Sequence, residues 1–182
     1  MPKILDNPRE AILNHARDIV LNEGYENLTI RTVSKNSGIS VGTIYNCFLT
    51  KKDLILQLIE DYWQECLEAV DEIDKDEPDL FLKLFKIYEK FNSFFETFKE
   101  GWIRNSTSGY GENGLIRRKN FLEKFIKKVE TILIEFQNSN SINLFIEPYT
   151  ISKFLILNFS MMAQFKDFEY NDFEKIIKKV LQ

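Results

Sequence analysis

The stretch SGISVGTIYNCFLTKKDL, Ser37 to Leu54, decides how this chain is read. Gly38 ends whatever precedes it and Ser40 is a helix-capping residue. Thr50 is followed three residues later by Asp53, the spacing of a capping box with Asp in place of Glu. Between those signals there is room for one very short helix, whose apolar members Ile44 and Phe48 stand four apart. With Ile44 set inward and about 100° per residue, Phe48 and Val41 turn toward the core and Cys47 partly so. Gly42 and Asn46 then point directly outward, flanked by Thr43 and Tyr45. Glycine on an outward helical face lowers helix propensity by roughly 1 kcal/mol relative to Ala, and packing within the chain offers no return for it. Close approach of another molecule to the backbone would.

The same punctuation organises the preceding residues. A first helix is expected over Pro8 to Glu23, with Ile12, Ala16, Ile19 and Val20 on one face and Gly24 as its stop. Thr29 can cap a second helix through Asn36, which Gly38 ends. Two short helices joined by a glycine-containing turn and packed on a first helix form a helix-turn-helix. An outward Asn46 suits the edge of an adenine, and Thr43 can bond a base or meet a thymine methyl. Ser40 heads a helix N-terminus that offers amides to a phosphate. Thr29, Arg31 and Lys51 stand where phosphate contacts would position the unit without reading sequence. A DNA-reading helix-turn-helix and a merely structural one both fit this pattern.

Charge and composition narrow the classes. The chain has 182 residues, 44% hydrophobic and 29% charged, with sixteen Phe, seven Tyr and two Trp, which are proportions of a folded protein. Net charge is −4, unevenly distributed: residues 1–55 hold seven Lys/Arg against six Asp/Glu, and the remainder seventeen against twenty-two. An acidic body behind a nearly neutral head is compatible with a nucleic-acid partner. No apolar run is long enough to span a bilayer and no leader precedes the first helix, so a soluble, cytoplasmic protein without a membrane partner is expected. Cys47 and Cys66 are far apart and lack metal spacing, so free thiols are expected, with no metal and no cofactor. A single histidine, His15, and no phosphate loop or Ser-His-Asp set argue against an enzyme.

Residues 11–59, AILNHARDIVLNEGYENLTIRTVSKNSGISVGTIYNCFLTKKDLILQLI, resemble the N-terminal DNA-binding domain of TetR-type transcriptional regulators. The features that carry the resemblance are an amphipathic first helix ending in EGY, Thr29 before IRTVSKNSGIS, then GTIYNCF, then TKKDL. The resemblance implies an all-α protein, with a three-helix helix-turn-helix domain over residues 1–52. A larger helical effector-binding and dimerisation domain is expected over 53–182. It implies DNA contacts at Thr29, Arg31, Ser40, Val41, Gly42, Thr43, Tyr45, Asn46 and Lys51. Three positions depart from the family pattern: Ser34 where alanine is usual, Cys47 where a ring is usual, and His15 where a small residue is usual. Ser34 is expected to bond back to a helical carbonyl. Cys47 is a small hydrophobe or a redox-sensitive thiol beside the DNA surface.

Beyond residue 53 the apolar period stays near 3.6. A long fourth helix should run through Leu54, Leu58, Tyr62 and Cys66 to about Ile73, before a solvated break at DKDEPD. Leu84, Tyr88, Phe91, Phe95 and Phe98 form an aromatic stripe on a fifth helix. The run GWIRNSTSGYGENG is expected to be a short helix and a mobile loop. By spacing alone the stripe is core. The resemblance implies instead an effector pocket, lined from Tyr62, Cys66, Phe85, Tyr88, Phe91, Trp102, Phe125 and Phe154. It would take a small apolar or aromatic effector, with a flat cation as a second class. The helix over Ile151 to Phe165 is apolar nearly all round. It is either the centre of a monomeric bundle or, with Asp172 to Leu181, a homodimer interface. The expected function is a homodimeric, ligand-responsive repressor of a palindromic operator. The alternative is a helical small-molecule or partner-binding protein whose helix-turn-helix is structural.

Overall fold

The structure is a computed structural model. It describes residues 7–108 and 111–181, the side chains of 99–108, 111–115 and 118 excepted. Every regular element among the described residues is helical, so the fold is all-α. Helix α1, Pro8–Glu23, starts with proline in its first turn and Asn7 as cap, whose side chain accepts from the Glu10 amide. It stops at Gly24, whose φ of 91° favours glycine. A 3-10 turn at Tyr25–Asn27 leads to α2, Ile30–Ser37. Thr29 caps α2 in a reciprocal box with Thr32, and left-handed Gly38 closes it. Helix α3, Val41–Cys47, is capped by Ser40. Thr50 and Asp53 exchange the two predicted box hydrogen bonds at the head of α4, Lys51–Asp76.

Four helices complete the chain: α5 Leu80–Ser108, α6 Gly111–Asn138, α7 Pro148–Phe165 and α8 Tyr170–Val180. The chain divides into two compact units, the first holding the chain to Tyr62 with Thr97–Arg104, the second Trp63–Glu96 with the chain from Asn105 onward. Helices α4 and α5 contribute to both. In the first unit Ile12, Ala16, Ile19, Leu28, Val33, Ile44, Phe48 and Leu54 make the core. In the second unit Trp63 lies among Phe94, Phe125 and Phe91, with ring centroids 4.2, 5.4 and 5.7 Å away. Rings packed edge to face at such distances gain attraction beyond their area burial.

Two expectations are corrected. The glycine-containing run 101–114 is helical on both sides of residues 109 and 110, which lie outside the described residues, so the short helix and loop are not what forms there. A glycine costs a helix interior about 1 kcal/mol, little against the burial of Phe91, Phe94, Phe95 and Phe98 along the same α5. The acidic break is also less solvated than its composition implies. Lys83, 4% exposed, donates to the Asp74 carbonyl at 2.7 Å and pairs with the Asp74 carboxylate. Glu77, itself buried, accepts from Lys86 at 2.7 Å and from the Asp79 amide at 3.1 Å. Local composition shows five charged residues and a proline but not the lysines nine positions downstream that pair with Asp74 and Glu77.

The Lys86 hydrogen bond, the Asp79 amide and the nearby lysine charges hold the Glu77 carboxyl below its ordinary value of 4.5. Because the folded value is the depressed one, this group stabilises the fold fully above that ordinary value. Its contribution is lost as pH falls below 4.5 through the lower folded value. In urea titrations across that window, Glu77→Gln should flatten the acid-side fall in the unfolding midpoint relative to wild type. Parallel curves would show that Glu77 contributes nothing there.

Candidate nucleic-acid interface

Helix α3 is held from behind. Ile44 is fully buried and Phe48, its C-terminal cap, is 2% exposed and donates its amide to the Ile44 carbonyl at 2.8 Å. With those two side chains inward, Gly42, Tyr45 and Asn46 are exposed and Thr43 half-buried, as the helical wheel requires. Val41 is the exception: it is 39% exposed rather than inward. As the first residue of the helix it lies past the reach of the Ile44 and Phe48 packing, so its place on the wheel does not bury it.

The outward side chains differ in their commitments. Asn46 and Tyr45 make no hydrogen bond or ion pair with any described residue, nor does exposed Arg31 at the head of α2. Ser40 and Thr29 are occupied as caps, Ser40 Oγ accepting from the Thr43 amide at 3.1 Å and Thr29 Oγ1 from the Thr32 amide at 3.0 Å. Ser40 Oγ is also 2.9 Å from Thr43 Oγ1. Both hydroxyls fix the starts of their helices. Lys51 lies with its ammonium 5.9 Å from the centre of the buried Tyr25 ring, which draws the start of α4 toward the EGY turn. A methyl group added at Gly42 would meet only Ser40 Oγ, at 3.8 Å, an ordinary contact. Nothing within the chain requires glycine there.

The departures from the family pattern acquire specific roles. Ser34 does not bond back along its own helix; its hydroxyl donates across the turn to the Ile39 carbonyl at 2.7 Å and fastens α2 to the approach to α3. Ser37 is the one that bonds back, to Val33. His15 is half-buried in α1. Cys47 is half-buried with a free thiol, and its backbone carbonyl accepts from Arg9 at 3.3 Å. Arg9 belongs to the first turn of α1, and nothing in its local sequence marks it as a neighbour of a residue 38 positions away.

The residues expected to line an effector pocket do not form one group. Tyr62 meets Phe98 edge to face at 5.3 Å in the first unit. In the second, Phe91 and Phe125 are buried 4.9 Å apart, and Cys66 is buried with its thiol pushed up to about 12 by desolvation. Tyr88 stacks on Tyr170 at 4.8 Å, and Phe85 packs on the same ring at 4.9 Å. Burial raises both phenols above their ordinary range. Phe159 lies 5.8 Å from Tyr88 and 6.3 Å from Phe91, and so links the two clusters. Phe154 stands apart: it is 44% exposed and stacks on Phe173. Trp102 belongs to α5, and its side chain lies outside what the structure describes. Among the described residues no group of His, Cys, Asp and Glu could hold a metal ion, and no helix is long and apolar enough to cross a membrane.

A capped, outward-facing short helix fixed against two others defines the helix-turn-helix class. The family model described as "Bacterial regulatory proteins, tetR family" matches residues 12–58, so this segment of the chain is similar to those regulators. It is 25% identical over 79 residues to the fatty acid metabolism regulator protein of Bacillus subtilis (strain 168), a match spanning 43% of this chain and 41% of that relative. Less than half of the curated relative is therefore matched. Two solved structures share the fold over nearly the whole chain. A transcriptional regulator from Cytophaga hutchinsonii has a TM-score of 0.73 at 19% identity, covering 96% of this chain and 95% of that one. Bacillus subtilis FadR in complex with stearoyl-CoA has a TM-score of 0.66 at 15% identity, covering 93% and 95%.

Gly42→Ala separates folding from recognition. The variant should be as stable as wild type or more so, by up to about 1 kcal/mol, since the methyl meets open space. Its affinity for DNA should fall at least about tenfold if a groove wall approaches that backbone. Thermal melts and fluorescence anisotropy on selected DNA check both halves, and undiminished binding would remove Gly42 from the interface.

Proposed function

We propose that this protein is a ligand-responsive transcriptional regulator acting in the cytoplasm. It is a homodimeric repressor that occupies a palindromic operator through residues 1–52 and uses residues 53–182 for dimerisation and effector binding. The observation that carries the reading is the outward face of α3 in a tetR-family domain. There, unpartnered Asn46 and Tyr45 flank a glycine that the fold does not need. Asn46 and Thr43 read base edges. Arg31 and Lys51 contact phosphates, with Thr29 and Ser40 holding the helix starts in place, and Val41, Tyr45 and Gly42 lie against the groove.

The dimer reading rests on α7 and α8. Phe154, Leu157, Met161 and Phe165 are each at least 42% exposed and follow one another along a single face of α7, with Ile176 of α8 48% exposed. An apolar stripe of this kind on a regulatory protein is an association surface. A two-fold dimer formed through it would place two recognition helices in major-groove turns about 34 to 36 Å apart.

The effector reading is an apolar molecule taken up in the second unit near Phe85, Tyr88 and Tyr170. The names of two relatives, a fatty acid metabolism regulator and a FadR bound to stearoyl-CoA, support an acyl chain as its class. Such a ligand releases DNA only if it binds the conformation that cannot hold the operator better than the one that can.

Selection of bound fragments from a random DNA pool, followed by anisotropy at several salt concentrations, tests the reading. A palindrome should emerge. Asn46→Ala should then lose preference at one or two base positions, by about 1 to 3 kcal/mol each, whereas Lys51→Gln should weaken all sequences alike and reduce the salt slope by about one per protomer. Recovery of no preferred sequence would overturn the proposal. Independently, Leu157→Glu with Met161→Glu should convert a dimer to a monomer in sedimentation equilibrium at micromolar concentration; a wild type that is already monomeric there would remove the dimer.

A further inference from the structure

One guanidinium in the first unit, from α1, touches the end of α3, the cap residue Phe48 and α4. Arg9 Nη1 donates to the carbonyl of Cys47, the last residue of α3, at 3.3 Å. Its Nη2 donates to Gln57 Oε1 on α4 at 2.8 Å. The guanidinium lies 4.5 Å from the centre of the Phe48 ring, the residue that caps α3. The relay continues along α4, where the Gln57 amide donates to Asp61 Oδ1 at 2.8 Å, one turn further on. Helix α3 has no basic residue in its own last turn. Its C-terminal carbonyls carry the negative end of the helix dipole, which a cation nearby stabilises.

A planar fork suits this task and an ammonium does not. Arginine presents donors in fixed directions, so one nitrogen can hold a carbonyl while the other holds an amide oxygen and the plane stacks on a ring. Arg9 is exposed, so each of these contacts alone is worth little. Their value lies in the geometry: the carbonyl at the end of α3 and the side chain of Gln57 share one rigid group. The Cys47 end of α3 cannot move relative to α4 without breaking a hydrogen bond. This also gives Cys47 a place in the interface, through its backbone and not its thiol.

We propose that Arg9 is a positioning residue of the DNA interface, a latch that clamps the end of the recognition helix to α4 so that α3 follows the first turns of α4 as one body. The inference rests on the DNA-binding reading above for its consequence, and on the Arg9, Cys47 and Gln57 geometry for its existence. Displacement of α4 then reorients the reading face directly, and loosening of the latch uncouples the two.

The test uses the full chain with four variants: Arg9→Lys, Arg9→Gln, Gln57→Leu and the double variant of Arg9→Lys with Gln57→Leu. Hydrogen exchange at the Phe48 amide, which bonds the Ile44 carbonyl, needs no DNA. It should accelerate about fivefold in Arg9→Lys and similarly in Gln57→Leu, with no further gain in the double variant. The Val33 amide of α2 should be unchanged in all four. On the selected palindrome, each single variant should lose affinity by about the same factor with the salt slope intact, since no phosphate contact is removed. Unchanged exchange at Phe48 in both Arg9→Lys and Gln57→Leu overturns the latch. So does a salt slope that falls by about one per protomer in Arg9→Gln while Gln57→Leu binds normally, because Arg9 would then be a phosphate contact. If wild type binds no DNA with sequence preference, the functional reading fails, and the exchange measurement still decides whether the latch exists.

Discussion

A seven-residue helix does not hold its shape alone in water, because nucleation costs more than so few hydrogen bonds return. Helix α3 is such a helix, and the proposed function depends on its being rigid. The structure supplies the rigidity from outside the helix. Ile44 and Phe48 anchor it to the core, Ser40 closes its start, Ser34 ties the preceding carbonyl to α2, and Arg9 ties its last carbonyl to α1 and α4. With every hold placed on the inward side or at the ends, the outward face is left unpartnered. A surface of Gly42, Tyr45 and Asn46 is affordable only because nothing on that face is asked to stabilise the helix.

The parts of this arrangement legible in the sequence are those with short-range causes. Pro8, Gly24, Thr29, Gly38, Ser40 and the Thr50–Asp53 pair set helix limits through hydrogen bonds and backbone preferences within a few residues, and the helices begin and end where those signals lie. The positions of Ile44, Phe48, Gly42 and Asn46 follow from helical period alone. What escaped the sequence has long-range causes. Lys83 and Lys86 pair with two carboxylates of the acidic break, and Arg9 meets Cys47 across 38 residues. Burial of the α5 aromatic stripe outweighs the glycine near its end. Val41 shows the limit of a wheel: angular position predicts burial only where a neighbouring element runs alongside, and the first residue of a short helix has none.

The aromatic residues show the same division at the level of the core. Spacing identified a stripe, and the stripe is buried, yet the same spacing is produced by a solid core and by a pocket wall. The structure sorts the rings by neighbours. Trp63, Phe91, Phe94 and Phe125 pack on one another, Tyr88, Phe85, Phe159 and Tyr170 form a second group with two phenols in it, and Phe154 faces out. A ligand that entered the first group would have to displace well-packed rings. The second group already contains polar handles, and Tyr170 Oη approaches the Phe81 carbonyl only loosely, at 3.5 Å. The proposed apolar effector, were it to carry a polar end, would find polar partners on the Tyr88 and Tyr170 side of the core, where the Trp63 side offers the rings of Phe91, Phe94 and Phe125.

Helices α4 and α5 each contribute residues to both compact units. Helix α4 is 26 residues long without interruption, about 39 Å at the usual rise. Within the first unit its Tyr62 meets Phe98 of α5 edge to face, so the two shared helices are in contact there. Asp61, adjacent to that contact, ends the hydrogen-bond relay that begins at Cys47. A change in how α4 and α5 meet at Tyr62 and Phe98 therefore acts at one end of a relay whose other end is the recognition helix. If DNA and the proposed effector each select one arrangement of α3, linkage requires that each alter the other's affinity by the same factor.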